Sequence, residues 1–121
     1  MAAVSQLKLN ELFDRLDLTP NLITMSFAFS PSEVYVSGQG SLLMNVNLYR
    51  GSLSRQIKVE EDIVVMRRGS RLLCCGTVSG KVSLKDPRSL KTEHELQAHS
   101  GTISDLDVSG NTLVTCGYSQ R

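Results

Sequence analysis

Tryptophan is absent from this chain, and only three tyrosines and three phenylalanines occur among its 121 residues. So few aromatic rings argue against a surface that holds a ligand by stacking, because such surfaces are built from aromatic side chains. The apolar residues are mostly Val, Leu and Ile instead. This choice of residues is typical of buried β-strands.

The charges show no excess of either sign. There are 13 Lys and Arg against 12 Asp and Glu, which gives a formal net charge of +1 and no whole-chain signal for nucleic acid. No apolar run approaches the roughly 18–20 residues that span a bilayer, and residues 1–9 lack the apolar stretch of a secretion signal. We therefore expect a protein of the cytoplasm or the nucleus, without a membrane partner.

Cysteine is also scarce, since the chain contains only Cys74, Cys75 and Cys116, all within apolar runs. An odd number argues against a disulfide framework. The adjacent pair would point to opposite faces of a strand and could not hold one zinc ion together. We predict three buried, reduced thiols, and no metal ion, cofactor or small-molecule ligand bound to this chain.

What the chain does contain is a short pattern that recurs at a fixed step. Residues 72–76, Leu-Leu-Cys-Cys-Gly, are followed 41 residues later by Leu-Val-Thr-Cys-Gly at residues 113–117, and a looser copy stands at residues 34–38. Each copy is a short β-run that ends at a glycine. Units of about 40–45 residues with four strands each are typical of propeller blades.

Turns rich in Gly, Pro and Ser divide residues 21–121 into blades at about 21–59, 60–98 and 99–121, the last with two strands only. We predict an all-β fold, a partial β-propeller of about two and a half four-stranded WD-like blades. Because one blade cannot bury its own faces, we expect this chain to be an incomplete part of a larger ring.

Residues 1–20 differ from the rest of the chain. Leu9, Leu12, Phe13 and Leu16 form an apolar stripe at helical spacing. This pattern predicts a short N-terminal helix over residues 6–18 in a separate lead-in segment.

The stretch from Ser79 to Arg88 resembles the end of a WD repeat, with Lys85-Asp86 where that repeat has Trp-Asp, and His99 follows at the place of the repeat's Gly-His. The WD histidine forms hydrogen bonds that tie one blade to the next, and a buried imidazole needs such partners. We predict structural inter-blade roles for five residues: Gly76, Gly80, His99, Asp105 and Gly117. The alternative is a catalytic base at His99 activated by Asp105, but no nucleophile, phosphate loop or second carboxylate stands at a usable spacing, so we predict no catalytic residue.

Arg67, Arg68 and Arg71 form the only basic cluster, predicted to lie in one hairpin loop. Three arginines in one loop could bind a phosphate or an acidic peptide. The preceding acidic residues 60–62 favour a charge-balanced, solvated loop as the alternative.

Four strings, at residues 33–40, 77–86, 104–111 and 113–119, run in the same order as in the amino-terminal propeller of one family. They are similar to the catalytic subunit of the PAN poly(A)-nuclease deadenylation complex, and the resemblance covers roughly residues 21–121.

That resemblance implies a seven-bladed WD-like propeller, a linker that binds a pseudokinase partner subunit, an inactive ubiquitin-hydrolase-like domain and a DEDD exoribonuclease that uses divalent metal ions. None of the nuclease motifs falls within these 121 residues. The resemblance thus implies a non-catalytic scaffold segment that helps to dock the complex on poly(A) ribonucleoprotein, in the cytoplasm and its P-bodies. An unrelated WD-repeat scaffold and an enzyme in its own right are the alternatives.

Overall fold

A computed structural model describes residues 22–27 and 32–118, and every regular element in those ranges is a β-strand. The predicted helix over residues 6–18 lies outside the described residues. The ten strands are β1 Leu22–Phe27, β2 Glu33–Gly38, β3 Leu42–Asn47, β4 Ser52–Lys58, β5 Ile63–Arg68, β6 Leu73–Thr77, β7 Lys81–Lys85, β8 Thr92–Gln97, β9 Ile103–Ser109 and β10 Thr112–Gly117.

The strands form three antiparallel sheets in which neighbours in the chain are neighbours in space. The first sheet has the order β1-β2-β3-β4, the second β5-β6-β7-β8, and the third pairs β9 with β10. The leading strands β1, β5 and β9 lie next to one another, so the sheets follow each other around a common side. Units of four, four and two strands are what the prediction of two and a half blades requires.

The backbone repeats with a step that differs from the step of the sequence motif. In the first two sheets the pairing of the second and third strands recurs after 39 residues. Between the second and third sheets the step is 40, because Gly117 pairs with Ile103, the first residue of β9, whereas Thr77 pairs with Ile63, the first residue of β5. The step of 41 read from the glycines was therefore wrong by one residue. A shift of one residue moves a side chain to the other face of its strand, so Gly76 and Gly117 are not counterparts.

A β-bulge recurs in every leading strand, at the second residue. The register shifts between Leu22 and Thr24, between Ile63 and Val65, and between Ile103 and Asp105. A bulge of one extra residue bends a strand and increases its twist. The three sheets thus share a β-bulge at the same position, although their sequences at that position show no common motif.

The boundary between the first and second sheets, here called the first junction, is formed mainly by apolar side chains. Leu90 joins it from the turn before β8 with a φ of +62°, a conformation that a large side chain rarely adopts. Its complete burial, together with a hydrogen bond from its backbone N–H to the Asp86 oxygen at 2.8 Å, holds it there. The buried residues of the first junction are Tyr35, Leu43, Ile63, Met66, Leu73, Cys75 and Leu90.

The boundary between the second and third sheets, here called the second junction, contains smaller side chains. Its buried residues are Val65, Cys74, Val82, Ile103 and Leu106. The adjacent cysteines Cys74 and Cys75 thus face different junctions, as their position in one strand requires.

Cys116 is exposed, which corrects the prediction that all three thiols are buried. It alternates along β10 with residues that pack on the second sheet, such as Leu113, and so faces away from that sheet. Val114 on the same outward face is 61% exposed. Because Val114 and Cys116 are apolar like Leu113 on the opposite face, the sequence of β10 does not show which of its faces is covered.

Candidate functional site

His99 lies in the connection between β8 and β9, directly over the turn that precedes β7. The backbone N–H groups of Ala98 and His99 both donate to the Gly80 oxygen, at 2.9 and 3.0 Å. On its other side the half-buried imidazole places Nε2 at 2.9 Å from Thr115 Oγ1. His99 is therefore bonded to the second sheet through its backbone and to the third through its ring.

Gly80 and Gly117 both pack against His99. Gly80 has a φ of +89°, and a Cβ there would collide with the carbonyl oxygens of His99 and Gly101. A Cβ at Gly117 would stand only 2.5 Å from His99 Cγ. The structure thus brings together three of the five residues for which sequence analysis predicted an inter-blade role, and that role stays a prediction.

Gly76 and Asp105 lie elsewhere in the second junction. A Cβ at Gly76 would approach Ile103 Cγ2 to 2.7 Å and Val65 Cγ1 to 2.8 Å, so the missing side chain lets β9 pack closely on the second sheet. The Asp105 carboxylate is exposed and forms an ion pair with Arg67, with 3.2 Å between Nη2 and Oδ1. In the described part of the chain its partners are this guanidinium and the Leu106 N–H, not the imidazole.

The three arginines do not share one hairpin loop, which corrects the sequence prediction. Arg67 and Arg68 are the last two residues of β5, and Arg71 lies in the turn that follows. Consecutive residues of a strand point to opposite faces, so this arrangement does not gather the three guanidinium groups into one cluster. All three residues are exposed.

Sequence analysis treated Glu61 only as one of the acidic residues that balance the arginines, and the structure places it in the connection between β4 and β5. Its carboxylate accepts a hydrogen bond from the Ser79 hydroxyl. Partial burial opposes its ionisation, but the hydrogen bonds from Ser79 and Thr77 prevail and lower the pKa of Glu61 below its usual value. The carboxylate thus connects the entry to the second sheet with the turn before β7.

Sequence analysis placed Lys85, the last residue of β7, where the WD repeat has Trp but did not predict that it is buried, and it is only 5% exposed. Lysine is almost never buried without a charged partner. Lys85 lines a groove of about 630 Å³ between the outer strands of the first and second sheets. The groove walls carry both apolar and charged side chains.

Within residues 22–27 and 32–118, no group of three or more His, Cys, Asp or Glu side chains is placed to hold a metal ion. Nor does that part of the chain contain a helix long and apolar enough to cross a bilayer.

Comparison with known proteins identifies the family. The sequence profile described as "PAN2 N-terminal" matches residues 9–121, nearly the whole chain. The chain belongs to the PAN2 N-terminal family. A relative in Schizosaccharomyces pombe, the PAN2-PAN3 deadenylation complex catalytic subunit pan2, is 47% identical over 89 residues, which are 74% of this chain and 8% of that protein. The Homo sapiens subunit of the same description is 41% identical over 91 residues, again 74% of this chain and 8% of the relative.

Solved structures agree with this membership. The Neurospora crassa Pan2 WD40 domain superposes with a TM-score of 0.74 at 31% identity, over 83% of this PAN2 N-terminal chain and 31% of that domain. A structure of U3-55K reaches a TM-score of 0.71 at 13% identity, over 78% of this chain and 32% of the other, and shows the fold alone. The predicted all-β partial propeller is thereby confirmed, as is the resemblance to the deadenylase subunit. The chain spans about 8% of the length of the curated relatives that it matches.

Proposed function

We propose that this chain is a non-catalytic scaffold segment of a poly(A)-specific deadenylase subunit. It contributes sheets to a propeller that assembles the complex and presents poly(A) ribonucleoprotein for tail shortening. The observation that carries the proposal is the family match over residues 9–121, because the curated relatives are catalytic subunits of a PAN2-PAN3 deadenylation complex.

The geometry is consistent with a surface that binds rather than cuts. Three sheets follow one another with packed junctions. Repeated sheets packed in this way form a rigid frame that is suited to protein contacts. The proposed partners are poly(A) ribonucleoprotein and, through the linker of the full-length protein, a pseudokinase regulatory subunit. The proposed location is the cytoplasm with its P-bodies, or also the nucleus.

A chimera tests the scaffold role. The segment of the Schizosaccharomyces pombe subunit that is 47% identical is replaced by this chain, and tail shortening is measured on naked poly(A) and on poly(A) coated with poly(A)-binding protein. We expect the chimera to act on both substrates. Gly76→Val in the chimera should slow shortening of the coated substrate and leave that of naked poly(A) within about twofold, since a larger side chain there clashes with Ile103 and Val65.

Gly40→Ala is the matched control, because a Cβ at Gly40 meets no atom within 4 Å. Equal activity of the Gly76→Val and unchanged chimeras on the coated substrate would contradict the scaffold role.

A second experiment separates binding from catalysis. The purified 121-residue chain is incubated with poly(A) and Mg²⁺ or Mn²⁺, and released AMP is measured. We expect none above the buffer control. Metal-dependent release that disappears in His99→Ala would show that the chain is itself an enzyme and would overturn the proposal.

A further inference from the structure

The buried ammonium of Lys85 faces the groove between the first and second sheets. The backbone of Lys85 pairs with Leu73 on one side and with Thr92 on the other. Directly paired residues share a face of the sheet, and Leu73 belongs to the first junction. The Lys85 side chain therefore points toward the first sheet, into the groove that it lines.

No carboxylate compensates the Lys85 charge within residues 22–27 and 32–118. Nζ donates to Thr92 Oγ1 at 2.7 Å, a neutral partner, and the salt bridges of that region involve other cations. A cation removed from water is unfavourable unless a counter-charge or several acceptors replace its hydration. An oxyanion in the groove would supply both.

The fold itself does not require a cation at this place. The counterpart of Lys85 in the first sheet is Val46, 39 residues earlier, which is fully buried and pairs with Val34 and Leu53 in the same register. The same backbone position thus accepts a purely apolar side chain. The propeller fold therefore does not require a lysine at this position, and the reason for it must lie in the groove.

Two hydroxyl groups stand beside the ammonium. Ser83 Oγ lies 3.4 Å from Thr92 Oγ1, and both residues line the groove. Because Thr92 Oγ1 accepts from Lys85, its own hydrogen can be donated to a ligand. One charged and two neutral donors at one end of a groove of about 630 Å³ match the several acceptor oxygens of a phosphate group.

The rim of the groove carries charges of both signs, but most of its carboxylates are already engaged. Glu60 and Glu95 both pair with Lys81 Nζ, at 3.6 and 3.4 Å. Glu61 holds the Ser79 hydroxyl.

Two exposed lysines, Lys58 and Lys91, also line the groove and have no carboxylate partner within the described ranges, whereas Glu93 is the remaining acidic side chain. The groove lining has four lysines and four glutamates, so its formal charges balance, and anion binding depends on Lys85 and the hydroxyl groups beside it rather than on net charge.

We propose that this groove binds a phosphate group, either as free inorganic phosphate or on a phosphorylated side chain. Lys85 is the charged donor, Thr92 and Ser83 are the neutral donors, and Lys58 and Lys91 add positive charge at the rim. This site is independent of the deadenylation role, because it rests on the residues of the groove alone.

Titration of the full chain tests the site directly. Inorganic phosphate and phosphoserine are titrated separately in chloride buffer of matched ionic strength, with ³¹P NMR line width and calorimetry as readouts. Saturable one-to-one binding is expected. Tighter binding of phosphoserine assigns a phosphorylated side chain as the occupant, and tighter binding of phosphate assigns the free anion. Absence of saturable binding of both overturns the proposal.

Variants then locate the site. Lys85→Met removes the charge and keeps the length of the side chain, and should weaken binding by at least about tenfold, as expected for the loss of a buried charged hydrogen bond. Lys91→Met, at the exposed rim, should weaken it by less than about fivefold. Lys85→Arg should retain most of the affinity. Unchanged affinity in Lys85→Met, or equal losses in the two methionine variants, would overturn the assignment. Should Lys85→Met fail to fold, the titration of the unchanged chain still shows whether phosphate binds, and Lys85→Arg and Lys91→Met still show whether the affinity depends on the buried or on the exposed lysine.

Discussion

The two junctions join their sheets in nearly the same backbone register, yet they are held together by different means. In the first junction, Tyr35 and Leu43 of the first sheet are buried against the second sheet. Their counterparts 39 residues later are Cys74 and Val82, which are buried against the third sheet. The first junction therefore buries larger side chains at equal positions.

The polar contacts differ in the same way. Ser37 in the first junction donates from Oγ to the Ile63 oxygen at 2.8 Å, and Gly76, its counterpart in the second sheet, has no side chain and lets Ile103 approach instead. Buried side-chain volume and a buried hydroxyl hold the first junction. Close approach of the backbone at glycines holds the second junction. The two junctions are thus both tightly packed, the first with large side chains and the second with glycines that let the sheets approach closely.

The largest effect should come from a matched pair of core truncations. Leu43→Ala, in the first junction, should lower the free energy of unfolding by about 2–5 kcal/mol, because it removes a fully buried side chain and leaves a cavity. Val82→Ala at the counterpart position should cost about 2 kcal/mol, since fewer methyl groups are lost. Urea unfolding followed by circular dichroism measures both. A larger loss of unfolding free energy for Val82→Ala than for Leu43→Ala would contradict the view that the first junction depends more on buried side-chain volume.

The next largest loss of stability is expected when a side chain is added at a glycine of the second junction. Gly80→Ala should cost about 2 kcal/mol or more, because φ is +89° and the new Cβ would meet the backbone oxygens of His99 and Gly101. Gly40→Ala is the control, with a φ of +86° but open space around its Cβ, and should cost about 1 kcal/mol from the backbone alone. Thermal melts of the two variants measure the difference. Equal losses would mean that the approach of His99 to Gly80 does not stabilise the second junction.

Alkaline pH should weaken the first junction selectively. Burial raises the pKa of the Cys75 thiol to about 12, and burial followed by repulsion from Glu33 raises the pKa of Tyr35 to about 12. In the unfolded chain both groups titrate lower, with pKa values near 9 and 10. The folded state thus keeps its protons longer, and stability is fully present below pH 9 and falls as the pH rises toward 12.

Cys75 should contribute at most about 1.4 kcal/mol per pH unit within its window, and Tyr35 less, because its hydroxyl group is only partly buried. Urea midpoints between pH 8 and 11 measure the slope. Cys75→Ala should make the slope shallower, and the matched variant Cys116→Ala, at the exposed thiol, should leave it unchanged. A slope that is insensitive to Cys75→Ala would contradict this account.

The smallest effect is expected at the ion pair that spans the second junction. Arg67 and Asp105 have side chains that are 45% and 65% exposed, and such pairs contribute about 1 kcal/mol or less. Arg67→Ala should therefore change the unfolding free energy by at most that amount, and 0.5 M NaCl should remove the difference. A loss comparable with that of Leu43→Ala would show that charge, and not the glycine contacts, holds the second junction.

The sequence was sufficient for the strands because their signals are local. Short β-runs separated by turns rich in Gly, Pro and Ser predicted two and a half four-stranded blades, and the described residues form sheets of four, four and two strands. Sequence reasoning failed where the result depends on which face of a strand another strand or sheet covers. The faces of Arg67 and Arg68 depend on β5 extending two residues further than the turn signal suggested, and the exposure of Cys116 depends on which face of β10 is covered.

The candidate groove shows the same limit more sharply. The WD resemblance placed Lys85 at the position of Trp but did not show that a lysine there is buried. Its burial follows from the packing of one sheet on another, which no local pattern encodes. The hydrogen bond between Glu61 and Ser79 likewise joins residues 18 positions apart. His99 was found because the resemblance to the WD repeat supplied the long-range information.

The shared register also indicates where this molecule tolerates a change of length. β1 and β2 close their hairpin on Phe27 and Val34, whereas β5 and β6 close theirs on Arg68 and Leu73, two residues sooner. The pairing of the remaining strands is unaffected by that difference. A fluorescent-label peptide inserted between Ser70 and Arg71 should thus leave the strand pairing of the second sheet and the first junction intact. Because Gly69 in the same loop lies against Val108, such a label would report on the second junction inside a larger assembly without touching His99 or the Lys85 groove.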